Sequence, residues 1–179
     1  MRTHLEGERR YRRRLPHIQT PGAWYHVTLS LRRDRVLDPR QRQVVLEACR
    51  FYEDQRWKLA AVAVMPTLGT HVLCQPLPDL SKEGRFHALE HILLCVKGCS
   101  GWRINQLAGT RGPVWERESF DREIRKRTDF WGVVRYIADN PVKAGIVPNA
   151  ADYPWLYVPV EFAGALEGPG FGADGNQGP

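Results

Sequence analysis

The run from Trp57 to Met65 constrains the fold more than any other part of the chain. Leu59, Ala61 and Ala63 interleave with Ala60, Val62 and Val64, so both faces of an extended segment are apolar. A strand of that kind must be covered on both sides, which calls for layers above and below one sheet. Pro66 to Thr70 breaks it, and His71-Val72-Leu73-Cys74-Gln75-Pro76 predicts a shorter strand that returns antiparallel to it.

The flanking segments supply the remaining layers. Tyr25 to Leu31 alternates, with Val27, Leu29 and Leu31 on one face and His26, Thr28 and Ser30 on the other, as a half-buried strand does. Pro39 opens a helical stretch through Val44, Val45, Ala48, Phe51 and Tyr52, expected to end near Arg56. Leu89, Leu93, Val96, Ser100, Ile104 and Leu107 mark a long helix in which Gly98 and Gly101 offer close packing on the sheet. Val114 to Ile124 reads as a further extended piece. Asp129 to Asn140 reads as a last helix with Phe130, Val134 and Ile137 as its core stripe, stopped by Pro141. This order predicts an α+β fold, an antiparallel sheet backed by helices in a ferredoxin-like or RRM-like sandwich, with one sheet face and its rim left for a ligand.

Charge narrows the ligand. Lys and Arg number 26 against 20 acidic residues, a net charge of +6, which suits a polyanion. The excess is concentrated: Arg2, Arg9, Arg10, Arg12, Arg13 and Arg14 crowd the start, whereas nothing after Glu161 is basic. Residues 1-15 therefore read as a basic phosphate-binding arm, 16-158 as the folded domain and 159-179 as a Gly-rich tail expected to be disordered. No apolar run is long enough to cross a bilayer and the charged start lacks the apolar core of a secretory signal, so a cytoplasmic protein without a membrane partner is expected. Cys49, Cys74, Cys95 and Cys99 form no Cys-x-x-Cys pair, so reduced thiols are expected rather than structural zinc.

Tyr136 and Asn140, four residues apart, share one face of the last helix, within roughly 40° of each other and off its apolar stripe. A phenol titrates near pH ~10, so its use as a nucleophile needs a nearby cation. Arg117, Arg122, Arg125, Arg135 and Lys143 provide local positive charge. This layout suits a tyrosine attacking a phosphodiester. The residue types alone equally allow an amphipathic tyrosine at a sheet edge and a helix-ending asparagine.

Four segments together carry a family resemblance: Tyr25-His26-Val27-Thr28, Ala63-Val64-Met65-Pro66, Trp115 to Asp121, and Tyr136-Ile137-Ala138-Asp139-Asn140-Pro141-Val142-Lys143-Ala144-Gly145. Over residues 10 to 157 the chain resembles the single-tyrosine HUH transposases, and among them the REP-associated tyrosine transposases. The resemblance implies that Tyr136 is the nucleophile that cuts single-stranded DNA, leaving a 5′-phosphotyrosine link and a free 3′-OH. It implies that Asn140 helps to hold a divalent ion, Mg²⁺ or Mn²⁺, that polarises the scissile phosphate. The implied partner is hairpin-bearing single-stranded DNA at the ends of a mobile element, with Arg12, Arg13, Arg14, Arg117, Arg122, Arg125, Arg135 and Lys143 as DNA contacts. Relatives of this kind include monomers and homodimers.

One departure stands out. After Met65-Pro66 the family pattern calls for two histidines flanking an apolar residue, since alternate strand positions point the same way and can share one ion. This chain has Thr67-Leu68-Gly69-Thr70-His71-Val72-Leu73. His71 remains as a metal ligand, Gly69 stands two residues before it, and Gly69→His should restore the pair if that register is right. His26, on the polar face of the first strand, is weighed as a substitute and set aside, because spacing alone does not bring it to His71. The incomplete pair leaves a second reading, a relative that binds hairpin DNA without cleaving it. A third is a basic RNA-binding domain, for which Trp24 and Tyr25 as exposed aromatics would be a hint.

Overall fold

A computed structural model of the chain describes residues 19–164. Arg12, Arg13 and Arg14 lie outside that range, as does most of the expected tail. The fold is α+β. Strands β1 (Trp24–Leu29), β2 (Trp57–Val64), β3 (Thr70–Pro76), β4 (Phe120–Ile124) and β5 (Leu156–Tyr157) form one sheet in the order β4-β1-β3-β2-β5, with every pairing antiparallel. Helices α1 (Pro39–Arg50) and α2 (Leu89–Ala108) cover one face. Helix α3 (Arg127–Lys143) lies on the other, so the second face is partly roofed rather than open.

The expected double-sided strand is β2, and a bulge gives its two faces different characters. Leu59 pairs with Cys74 while Ala61 pairs with Leu73, so Ala60 is the extra residue that reverses the alternation. Leu59, Val62 and Val64 then join the core under α1 and α2, whereas Ala60, Ala61 and Ala63 all face α3. Strict alternation would have put Leu59 with Ala61 and Ala63. Three alanines side by side make a shallow floor on which Phe130, Val133, Val134 and Ile137 of α3 settle, which keeps this helix close to the sheet.

Each helix has a local cause for its ends. Asp38 accepts the Gln41 N–H at 2.8 Å while the Gln41 side chain accepts the Asp38 N–H, a capping box that starts α1 with Pro39 at its first position. This helix stops at Arg50 rather than near Arg56, because a tight turn with Asp54 at positive φ feeds directly into β2. In α2, Leu89, Val96, Ser100 and Ile104 are buried as expected, but Leu107 is exposed. Gly101 lies against Trp115, whose indole N–H donates to Ser100, whereas Gly98 faces open space and packs on nothing.

Pro141 does not stop α3. It falls on the same buried stripe as Phe130, Val134 and Ile137, so its ring packs inward, and it forgoes one bond to the Ile137 carbonyl in the last turn. The helix runs to Lys143 and is capped by Ala144, after which Gly145 takes φ +67° and donates to the Val142 carbonyl. Of the expected extended piece from Val114, only Phe120–Ile124 is strand, with Trp115 making an isolated bridge to Leu31. The packed chain passes the expected boundary at residue 158: in the short helix α4 (Val160–Ala163), Phe162 stacks edge-on against Trp24 at 5.6 Å and approaches Phe130.

Candidate active site

Directly paired residues of an antiparallel ladder point to the same side of the sheet. Thr28 pairs with His71, and His26 pairs with both Leu73 and Arg122, so one patch on the α3 side of the sheet carries all five, together with Phe120 opposite Thr28. Helix α3 lays Tyr136 over this patch. The rings of His26, His71 and Tyr136 form an equilateral triangle, with each pair of centroids 5.7 Å apart. Tyr136 meets both imidazoles edge-on and remains 42% exposed, so the phenol borders solvent rather than the interior.

Neither imidazole carries charge near neutral pH. His26 is held down to about 4, first by burial and then by His71 and the Arg122 guanidinium, and burial also lowers His71. The His26 Nε2 is buried without a hydrogen-bond partner. His71 Nδ1 makes a long contact of 3.4 Å with the Thr28 hydroxyl. With the proton on Nδ1, that contact leaves Nε2 of His71 with a free lone pair. One turn below Tyr136, the Asn140 carboxamide also has a buried, unpartnered nitrogen, and rotating the amide puts its oxygen at that position.

These groups fit a divalent ion. Two neutral imidazoles and a carboxamide, with the His26 Nε2 and the Asn140 amide nitrogen buried and unpartnered, are a donor set that Mn²⁺ accepts. Among the described residues no group of three or more His, Cys, Asp or Glu side chains converges, so water and a substrate phosphate would have to complete the shell.

The expected basic residues divide. Arg122 stands beside His26, and the Lys143 ammonium lies 5.6 Å from the Tyr136 ring while pairing with Asp139 at 3.5 Å. Arg135 is exposed on α3 next to Tyr136. Arg117 instead lines a cleft of about 270 Å³ between α2 and β4 on the opposite side of the sheet, and Arg125 pairs with Glu123 beyond the end of β4. The two aromatics that hinted at RNA binding are not exposed platforms: Tyr25 is buried in the α1–α2 core, and Trp24 is packed by Phe130 and Phe162. Besides Tyr136, Phe120 is also exposed on the α3 side, at 65%.

No protein-family model matches the chain, and no curated protein matches it. Among solved structures, that of a REP-associated tyrosine transposase bound to a REP hairpin is 24% identical, with 85% of this chain and 82% of that chain covered and a TM-score of 0.62. The fold is shared. A protein from Deinococcus radiodurans R1, provisionally labelled a transposase, is more distant: 19% identical, with 70% of this chain and 96% of that chain covered and a TM-score of 0.46. Among the described residues no helix is long and apolar enough to cross a membrane.

Proposed function

We propose that the protein is a transposase of the single-tyrosine HUH class, cutting and rejoining hairpin-bearing single-stranded DNA through Tyr136. The observation that carries this reading is the placement of a solvent-bordering phenol 5.7 Å from two neutral imidazoles on a rigid sheet. The shared fold with a hairpin-bound tyrosine transposase supports it.

In this mechanism the Tyr136 oxygen loses its proton to solvent and attacks the scissile phosphorus. The new bond to phosphorus replaces the bond to the 3′-oxygen, which departs and takes up a proton as a free 3′-OH. The phosphotyrosine ester conserves the bond energy, so a later 3′-OH can reverse the step without ATP. A divalent ion held by His71 and Asn140 would polarise the phosphate and ease departure of the leaving oxygen. Lys143 beside the Tyr136 ring and Arg122 beside His26 add positive charge to the site, where phosphate charge develops. Phe120, exposed beside Arg122, offers a face on which an unpaired base can stack.

A second reading has its own observation. Gly69, where the family pattern calls for a second strand histidine, leaves no room for a side chain, which favours a protein that binds hairpin DNA through its basic surface yet cleaves poorly. Incubation with a labelled hairpin single strand and Mn²⁺ separates the two. A denaturant-resistant protein–DNA adduct supports the transposase, and retention of DNA with no adduct supports the binder.

A further inference from the structure

Neither strand neighbour of His71 can supply a second imidazole. Leu73, two residues on and on the same face, is fully buried beneath α3. Gly69, two residues back, has φ +113°, and a Cβ there would collide with the backbone carbonyl of Leu29. A two-histidine pair along one strand is therefore closed off in both directions. The ladder offers another route: His26 of β1 stands directly opposite Leu73, diagonal to His71, on the side that faces Tyr136.

We infer that His26 is the second metal-binding imidazole, so that the ion is gripped across β1 and β3 rather than along β3. A metal–nitrogen bond of about 2.0–2.1 Å puts the centroid of a ligating ring roughly 3 Å from the ion, so two rings sharing one ion have centroids no more than about 6.5 Å apart. The His26–His71 separation of 5.7 Å satisfies that limit, and the rings are tilted by only 32°. A buried ring nitrogen without a partner is costly, and ligation would satisfy the His26 Nε2. Thr28, directly opposite His71 and two residues from His26 on β1, is the outer partner that orients His71. The arrangement divides labour between elements: β1 and β3 hold the ion, and α3 brings Tyr136 and Asn140 down onto it.

This inference rests on the proposed function for its choice of ion, and it is tested with Mn²⁺ alone on the full chain. Histidine side-chain NMR of the wild-type protein during a substoichiometric Mn²⁺ titration needs no variant. The His26 and His71 ring signals should broaden together, ahead of those of the other four histidines. In parallel, electron paramagnetic resonance of free Mn²⁺ should show His26→Gln weakening binding by about tenfold or more, with His91→Gln on the exposed face of α2 unchanged. Broadening of neither ring at millimolar Mn²⁺, or a His26→Gln protein that binds Mn²⁺ as tightly as the wild type, overturns the inference. A Tyr136-dependent DNA adduct alongside that outcome leaves the proposed function standing, whereas paired broadening with no adduct preserves the ion site and removes the function.

Discussion

His26 stands directly across the β1–β3 ladder from Leu73, and both face the helix that carries Tyr136. In the ion site inferred above, the imidazole that a second strand histidine would provide comes from the neighbouring strand.

Gly69 is a structural glycine rather than a vacated ligand position. At φ +113°, with the Leu29 carbonyl where a Cβ would lie, Gly69→Ala should destabilise the protein by about 1–3 kcal/mol. Gly69→His should do the same and should not raise cleavage. Denaturant unfolding checks the first point. A Gly69→His variant with native stability and raised activity would return the ligand pair to β3.

Much of this was legible from residue spacing. The four-residue interval from Tyr136 to Asn140 fixes a shared helix face, and the apolar run of β2 demands cover on both sides, because both are local periodicities. His26 was not legible as a neighbour of His71, since 45 positions separate them and only the strand register joins them. The Ala60 bulge was hidden because alanine fits either face of a strand. Pro141 misled in the other direction: its backbone preference reads as a stop, but its ring fits the apolar stripe and tertiary packing overrode the preference. The two-residue strand β5 is too short to carry any period.

The alanine floor beneath α3 sets the height of Tyr136 above the histidines. Ala61→Leu should overpack it at a cost of about 1–3 kcal/mol and push the helix outward. Adduct formation should then fall, while hairpin binding at saturating protein persists. Equal loss of both would mean that the helix position does not control the chemistry.

DNA affinity should have a stacking part and a charge part. Phe120→Ala should weaken single-strand binding by about 1–3 kcal/mol with little effect on the melting temperature, because the ring is exposed. Removing the residues before Leu15 should flatten the decline of affinity with salt, since each phosphate contact adds to that slope. Titrations by fluorescence anisotropy at several salt concentrations check both. An unchanged slope would remove the arm from the interface.

Acid should act on the ion-free protein through His26. Its folded pKa, about 4, lies below the ordinary 6.5, so as pH falls between those values the unfolded chain takes up a proton that the folded site refuses. Stability is therefore lost on acidification through that window, and His26→Gln should lose less of it than the wild type. Melting temperatures from pH 7 to 4.5 check this, and parallel curves would contradict it.

The most direct test of the central claim is mass spectrometry of the DNA-linked peptide recovered after reaction of the protein with a hairpin single strand and Mn²⁺. The expected result is a phosphodiester link on Tyr136 alone, absent in Tyr136→Phe, with hairpin binding by that variant retained. A link on another residue, or tight hairpin binding with no covalent peptide at all, would contradict the assignment of Tyr136 as the nucleophile.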